Sequence, residues 1–202
     1  EAQAAYDTIL TGWITQGPRV AEFEEHFAAY TGARYAVAVS NCTTALHLSM
    51  IMAGVGAGDE VICPSMSYIA TANCIKYVGA KPVFAEVNPE TYNLDITDAE
   101  QKITSKTKAI LLVHQIGMPA DIDAFQLLAA KYNLKLIEDA ACAAGSSYKG
   151  KKIGSHSELV CFSLHPRKVI STGDGGFVTT NREDYYQRLK LLRQHGMSVN
   201  DR

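Results

Sequence analysis

Short β-branched or apolar runs alternate with longer segments of helical period along most of the chain. This alternation restricts the possible folds more than any other feature. Segments 35–39, 60–63, 82–87, 108–113 and 135–138 read as strands, and 43–53, 67–78, 97–103 and 121–132 as the helices between them. Gly54, Gly56 and Gly58 break the chain after the first of those helices. Strand and helix in turn predict an α/β fold, a three-layer α/β/α sandwich around a mostly parallel, mixed sheet. Segments 159–163 and 176–180 are further strands with no helix between them, so an antiparallel or irregular stretch is expected there. A charged amphipathic helix over 183–195 follows. With no internal repeat and no low-complexity linker, residues 1–202 read as one domain.

Sheets of this kind place ligands beyond the carboxyl ends of their strands. The residues to inspect are therefore 40–44, 64–68, 114–117, 139–142 and 163–168. Composition narrows what they could serve. A chain of 202 residues can bury roughly 70% of its unfolded surface without disulfides or metals. At 47% hydrophobic and 20% charged, it is not a disordered chain. A formal net charge of -2 gives no basic excess, and nucleic acid is not an expected partner. No apolar run approaches the roughly 18 residues of a membrane span, and no signal-like segment precedes the fold, so a soluble protein with no membrane partner is expected. The five cysteines are odd in number and widely spaced, with no C-x-x-C pair. That argues against zinc or a disulfide framework and for a reducing, cytoplasmic setting. Asn41-Cys42-Thr43 matches a glycosylation sequon, which has no use in that setting. The chain begins at Glu1, and Arg202 follows a helical segment without a closing element, so both ends read as cut.

Several familiar motifs fail. Gly54-x-Gly56-x-Gly58 precedes a strand instead of following one, and Asp59 stands where a dinucleotide fingerprint needs glycine. Residues 145–152 come within one residue of a P-loop, but Lys152 replaces the magnesium-binding hydroxyl. There is no G-x-S-x-G elbow and no histidine pair spaced for a metal.

Three strand-end clusters suit a single cofactor. Ser40-Asn41-Cys42-Thr43-Thr44 offers hydroxyls and backbone N–H groups at a helix start, an anion site or an ordinary N-cap. Asp139, ending a strand and followed by Ala140 and Ala141, could pair with a protonated ring nitrogen or serve as a structural carboxylate. Ser163-Leu164-His165-Pro166-Arg167-Lys168 leads into Gly173-Asp174-Gly175-Gly176. Cationic neighbours there favour the lowered pKa that an imine-forming lysine needs, whereas an isolated lysine is usually a solvated charge. Tyr68 could stack on a ring or sit in the core. Together these are the protein's tasks in pyridoxal 5'-phosphate chemistry.

At these residues the chain resembles the DegT/DnrJ/StrS sugar aminotransferases, a family of fold-type I pyridoxal phosphate enzymes. The likeness runs in order through 12–18, Phe23-Glu24, 36–40, 58–61, His114, Gly117, Asp121, Glu138-Asp139-Ala140-Ala141 and 163–176. The resemblance implies Lys168 as the Schiff-base lysine and general base, and Asp139 as the partner of the pyridine nitrogen. It implies Cys42, Thr43 and Ser163 at the phosphate, Tyr68 on the ring face, His165 close by, and Gly17 and Pro18 near the sugar. Many relatives carry glycine where Cys42 stands and glutamine or histidine where Cys142 stands. Cys42 can still offer its N–H, while Cys142 is a poorer partner for the cofactor's phenolic oxygen. The implied reaction moves an amino group, from glutamate, to a keto group of a nucleotide-linked deoxysugar.

The resemblance further implies a homodimer with shared active sites. Residues 1–202 would then be the cofactor-binding large domain, a small C-terminal domain lying outside them, and would turn over weakly or not at all alone. Sugar dehydratases of the same family replace the lysine with histidine, so Lys168 opposes that alternative. A regulatory or sensory member that keeps the fold without turnover is opposed by the intact set of Lys168, Asp139 and Ser163.

Overall fold

The strand-like runs are rich in Val, Ile and Leu with little alternation, the pattern of strands covered on both faces. A computed structural model, which describes residues 1–198, places helices on both sides of them. Residues 199–202, with the chain end at Arg202, lie outside the described residues. Two helices come first, α1 (Ala2–Leu10) and α2 (Pro18–Thr31). Then strand and helix alternate: β1 (Tyr35–Val39), α3 (Cys42–Met52), β2 (Glu60–Pro64), α4 (Ala70–Tyr77), β3 (Lys81–Ala85), α5 (Ile96–Gln101), β4 (Thr107–Val113), α6 (Ile122–Tyr132) and β5 (Lys135–Asp139). A two-residue hairpin, β6 (Ser147–Tyr148) and β7 (Lys151–Lys152), precedes β8 (Leu159–Ser163), β9 (Gly176–Thr180) and α7 (Glu183–Leu192).

The main sheet has seven strands in the order β1-β9-β8-β5-β4-β2-β3. β9 is antiparallel to both its neighbours, and the other pairings are parallel. This irregularity was expected, and its cause is the connection. A loop without a helix cannot make the crossover that a parallel pair requires. The chain therefore turns back at the carboxyl edge of β8, and the whole 164–175 connector stays at that edge.

Alternate side chains feed two cores. Leu111 and Ile137 pack with Leu46, Ile75 and Leu189 beneath α3, α4 and α7. Ile110, Phe162 and Phe177 pack with Phe27, Ile122 and Phe125 beneath α2 and α6. The expected three-layer α/β/α sandwich is what these two cores produce.

Three elements depart from the sequence reading. α1 buries none of its residues, so no apolar stripe marks it. In α2 the charges of Glu22, Glu24, Glu25 and His26 obscure the periodicity, although Pro18 in its first turn and left-handed Gly32 after its end delimit it. Glu24 is buried for a reason. It pairs with Arg193 and accepts the Ala38 N–H at 2.7 Å, pinning β1. The β6–β7 hairpin turns on Lys149 and Gly150, both at positive φ, within the segment that came near a P-loop.

Candidate active site

The carboxyl ends of the parallel strands open into one cavity of about 300 Å³. Cys42, Thr43, Tyr68, Asp139, Cys142, Ser163, His165 and Lys168 all line it. Gly17 and Pro18 do not line this cavity. They start α2, with the Trp13 ring packed over Gly17 and its Nε1 donating to the Gln16 carbonyl at 2.8 Å.

One wall is the start of α3. Asn41 caps it, its Oδ1 accepting the Thr44 N–H at 2.9 Å, while the Asn41 carbonyl accepts from Ala45. The N–H groups of Cys42 and Thr43 lie between these and take no bond from the helix itself, so its positive end faces the cavity. In the sequence Asn41 is one member of a cluster that suits either an anion site or an N-cap; its side chain is the cap that shapes this wall. The Cys42 thiol is pushed well above its ordinary range, first by burial and then by the Asp139 charge. It remains a thiol, and what Cys42 offers a ligand is its N–H.

Strand β9 begins against this wall because Gly176 has no side chain. A Cβ there would lie 2.6 Å from the Asn41 carbonyl carbon and the Cys42 nitrogen, and 2.8 Å from the Phe162 oxygen. All three are backbone atoms that cannot rotate away. Gly176→Ala is expected to lower stability by about 1–3 kcal/mol and, by displacing the helix start, to weaken any anion held there. Urea unfolding and an inorganic phosphate titration read the two effects.

The floor is Asp139. Side chains alternate along β5, so Asp139 shares the α3 face with Ile137 while Glu138 points the other way. Oδ2 accepts from the Thr71 hydroxyl at 3.0 Å and Oδ1 from the Ala141 N–H at 3.1 Å. Thr71 in turn meets Ser67 at 2.7 Å. Burial pushes the Asp139 carboxyl above its ordinary range, against the pull of those two donors and of His114 and Lys168. A cation above it would therefore be held strongly. Thr71 and Ser67 come from the α4 segment, and nothing in the sequence links Thr71 to an acid 68 residues away.

Behind the floor, His114 and Glu138 are fully buried, with Nε2 to Oε2 at 2.8 Å. His114 Nδ1 accepts the Ala120 N–H, which leaves the ring proton on Nε2 for Glu138. The turn after His114 carries Ile116 at φ 54 and ψ 23, a left-handed conformation that costs a β-branched residue about 1–2 kcal/mol.

Lys168 stands on the 164–175 connector. Leu164 and Gly175 close the loop at 2.8 Å, and the Lys168 N–H donates to the His165 carbonyl at 2.9 Å. Ser163 Oγ accepts the His165 N–H, and Lys168 Nζ donates to Cys142 Sγ at 3.2 Å. Tyr68 is 72% exposed, which places it on the cavity and not in the core. Arg167 and Asp174 also line the cavity.

The donor set thus comprises an anion-binding helix start, a buried carboxylate able to hold a ring cation, an amine, and an aromatic ring. These fit pyridoxal phosphate. The comparisons point the same way. The model of the DegT/DnrJ/EryC1/StrS aminotransferase family matches residues 1–202. GDP-perosamine synthase of Caulobacter vibrioides is 47% identical over 193 residues, 95% of this chain and 52% of that protein. DesV of S. venezuelae, solved with a ketimine intermediate, superposes with a TM-score of 0.93 at 40% identity, over 96% of this chain and 53% of that one. Spr1654 of Streptococcus pneumoniae, solved in its PLP form, gives a TM-score of 0.92 at 34% identity, over 96% of this chain and 55% of that one. The chain spans about half the length of the curated relatives it matches. Similarity of this extent, over a cavity with this donor set, decides the affiliation: the chain belongs to the DegT/DnrJ/EryC1/StrS aminotransferase family.

Proposed function

We propose that residues 1–202 are the cofactor-binding large domain of a pyridoxal phosphate-dependent aminotransferase. The protein transfers an amino group from an amino acid, glutamate, to a keto group of a nucleotide-linked deoxysugar. The observation that carries this is the convergence of Lys168, Asp139 and the α3 start on one cavity. The family's aminotransferases work with pyridoxal phosphate, and the relative named GDP-perosamine synthase supports a nucleotide sugar as acceptor.

Pyridoxal phosphate held in this cavity would supply an electron-accepting pyridinium ring for chemistry at the substrate's Cα–H bond. The protein's own part follows from its geometry. The Cys42 and Thr43 N–H groups, with the Ser163 hydroxyl, hold the phosphate. Asp139 keeps the ring nitrogen protonated, and Tyr68 covers a ring face. Lys168 Nζ would hold the cofactor covalently and, as a free amine, could carry a proton between the two reacting carbons. His165 stands beside this path, and Cys142 contacts the amine. Gly17 and Pro18 are proposed to approach the sugar.

A homodimer with shared sites is part of the same proposal. No helix among the described residues is long and apolar enough to cross a membrane. Five free cysteines suit a reducing cytoplasm.

Borohydride reduction of the full-length protein followed by peptide mapping tests the reading. A pyridoxyl group on Lys168 is expected. A protein that takes up cofactor but carries the adduct elsewhere, or none, overturns it.

A further inference from the structure

Ile116 combines three properties that rarely coincide. It is β-branched, its backbone is left-handed, and its side chain is 83% exposed at the cavity. Strain in a non-glycine residue persists only where surrounding contacts over-determine it. Here the contacts can be named. Asn93, itself buried, accepts the Gln115 N–H at 2.9 Å and donates to the Met118 and Pro119 carbonyls at 3.2 Å each. Ser146 donates to the Gly117 carbonyl at 2.7 Å, and His114 accepts the Ala120 N–H at 3.1 Å. Gly117 cannot carry a side chain, since its Cβ would lie 2.8 Å from the Cys142 carbonyl.

The turn is thus held on both sides of Ile116, and the strain is not offset by burying the side chain within this chain. What the arrangement achieves is to present a branched apolar group at the mouth of the cavity whose floor is Asp139. Met66, half exposed, is tied to the same turn through the Gln115 side chain at 3.4 Å, and Tyr68 lies beyond it on the cavity wall.

We propose that Ile116 is a specificity-determining residue that packs against an apolar patch of the acceptor, a deoxy carbon or C-methyl group of the keto sugar. This rests on the sugar aminotransferase reading. A hydroxyl packed against the Ile116 side chain would lose water and gain no hydrogen bond from that side chain. Apolar contacts of this kind discriminate by roughly 10- to 100-fold.

The test uses the full-length holoenzyme with two nucleoside diphosphate keto-hexoses that differ only in a C-methyl against a hydroxymethyl group. Wild type is expected to favour the methyl sugar in kcat/KM. Ile116→Asn tolerates the left-handed backbone but removes the apolar surface, and should bring the ratio to within about threefold of unity. The change should come chiefly through KM for the methyl sugar. Ile116→Leu should keep the wild-type preference. General damage to the fold lowers both rates alike and leaves their ratio in place, so the ratio isolates the contact. An Ile116→Asn ratio equal to wild type overturns the proposal, as does a shift in oligomeric state with the ratio intact. A wild-type enzyme that accepts an amino group from glutamate, seen spectroscopically, yet aminates neither sugar removes the sugar reading itself.

Discussion

Lys168→Ala in the full-length protein should lower transamination by roughly 10⁴-fold or more, because it removes both the covalent anchor and the proton carrier. The loss should be chemical and not structural. The loop around Lys168 is closed by backbone bonds, Leu164 to Gly175 and Lys168 to His165, which alanine preserves. The side chain's hydrogen bond is to Cys142, on the exposed side of the cavity. Stability should therefore change by less than about 1 kcal/mol. Pyridoxamine phosphate should still bind, since the α3 start, Ser163 and Asp139 are untouched, and calorimetric titration measures that directly. Lys168→Arg should be equally inactive, because a guanidinium keeps the charge but cannot take over the amine's covalent chemistry. Turnover within tenfold of wild type in either variant would contradict the role given to Lys168.

Much of this site was legible because the relevant residues sit where strands end. Asp139 closes a buried run, Ser163 closes another, and the Asn41 cluster joins a strand to a helix. The fold's geometry alone sends those ends to one edge. The residues that escaped are the ones whose role depends on distant neighbours. Thr71 reaches Asp139 only because α4 packs beside α3, and Asn93 clamps the Ile116 turn from a segment with no periodic signal. Ile116 itself looks ordinary in sequence, since nothing local announces a left-handed isoleucine. At the amino end the reasons differ: helical pattern is visible through burial on one face, α1 buries nothing, and in α2 the charges interrupt the buried face of Glu24, Phe27, Ala28 and Thr31.

Asp139→Asn separates the cost of the site from its use. Burial disfavours the charged carboxylate, so its pKa lies above the ordinary 3.8. Between the unfolded and the folded pKa the native state binds more protons than the unfolded chain, and stability falls as pH rises through that window. At neutral pH the apoprotein carries the resulting penalty, whereas well below 3.8 both states are protonated and the penalty disappears. Asparagine keeps an oxygen for the Ala141 N–H and can meet the Thr71 hydroxyl, but it has no charge to desolvate. The apo variant should therefore melt at or above wild type near pH 7, with the difference vanishing in acid. Cofactor should reverse the order. Wild type gains a cation facing its carboxylate and is stabilised by loading, while the variant gains less. Turnover should fall by about 10²–10³-fold, the scale set by removing one oriented electrostatic partner. Thermal melts of apo and loaded protein across pH, beside steady-state rates, read all three effects. An apo variant clearly less stable than wild type at neutral pH would make Asp139 a structural carboxylate, and equal stabilisation of both proteins by cofactor would remove its claim on the ring nitrogen.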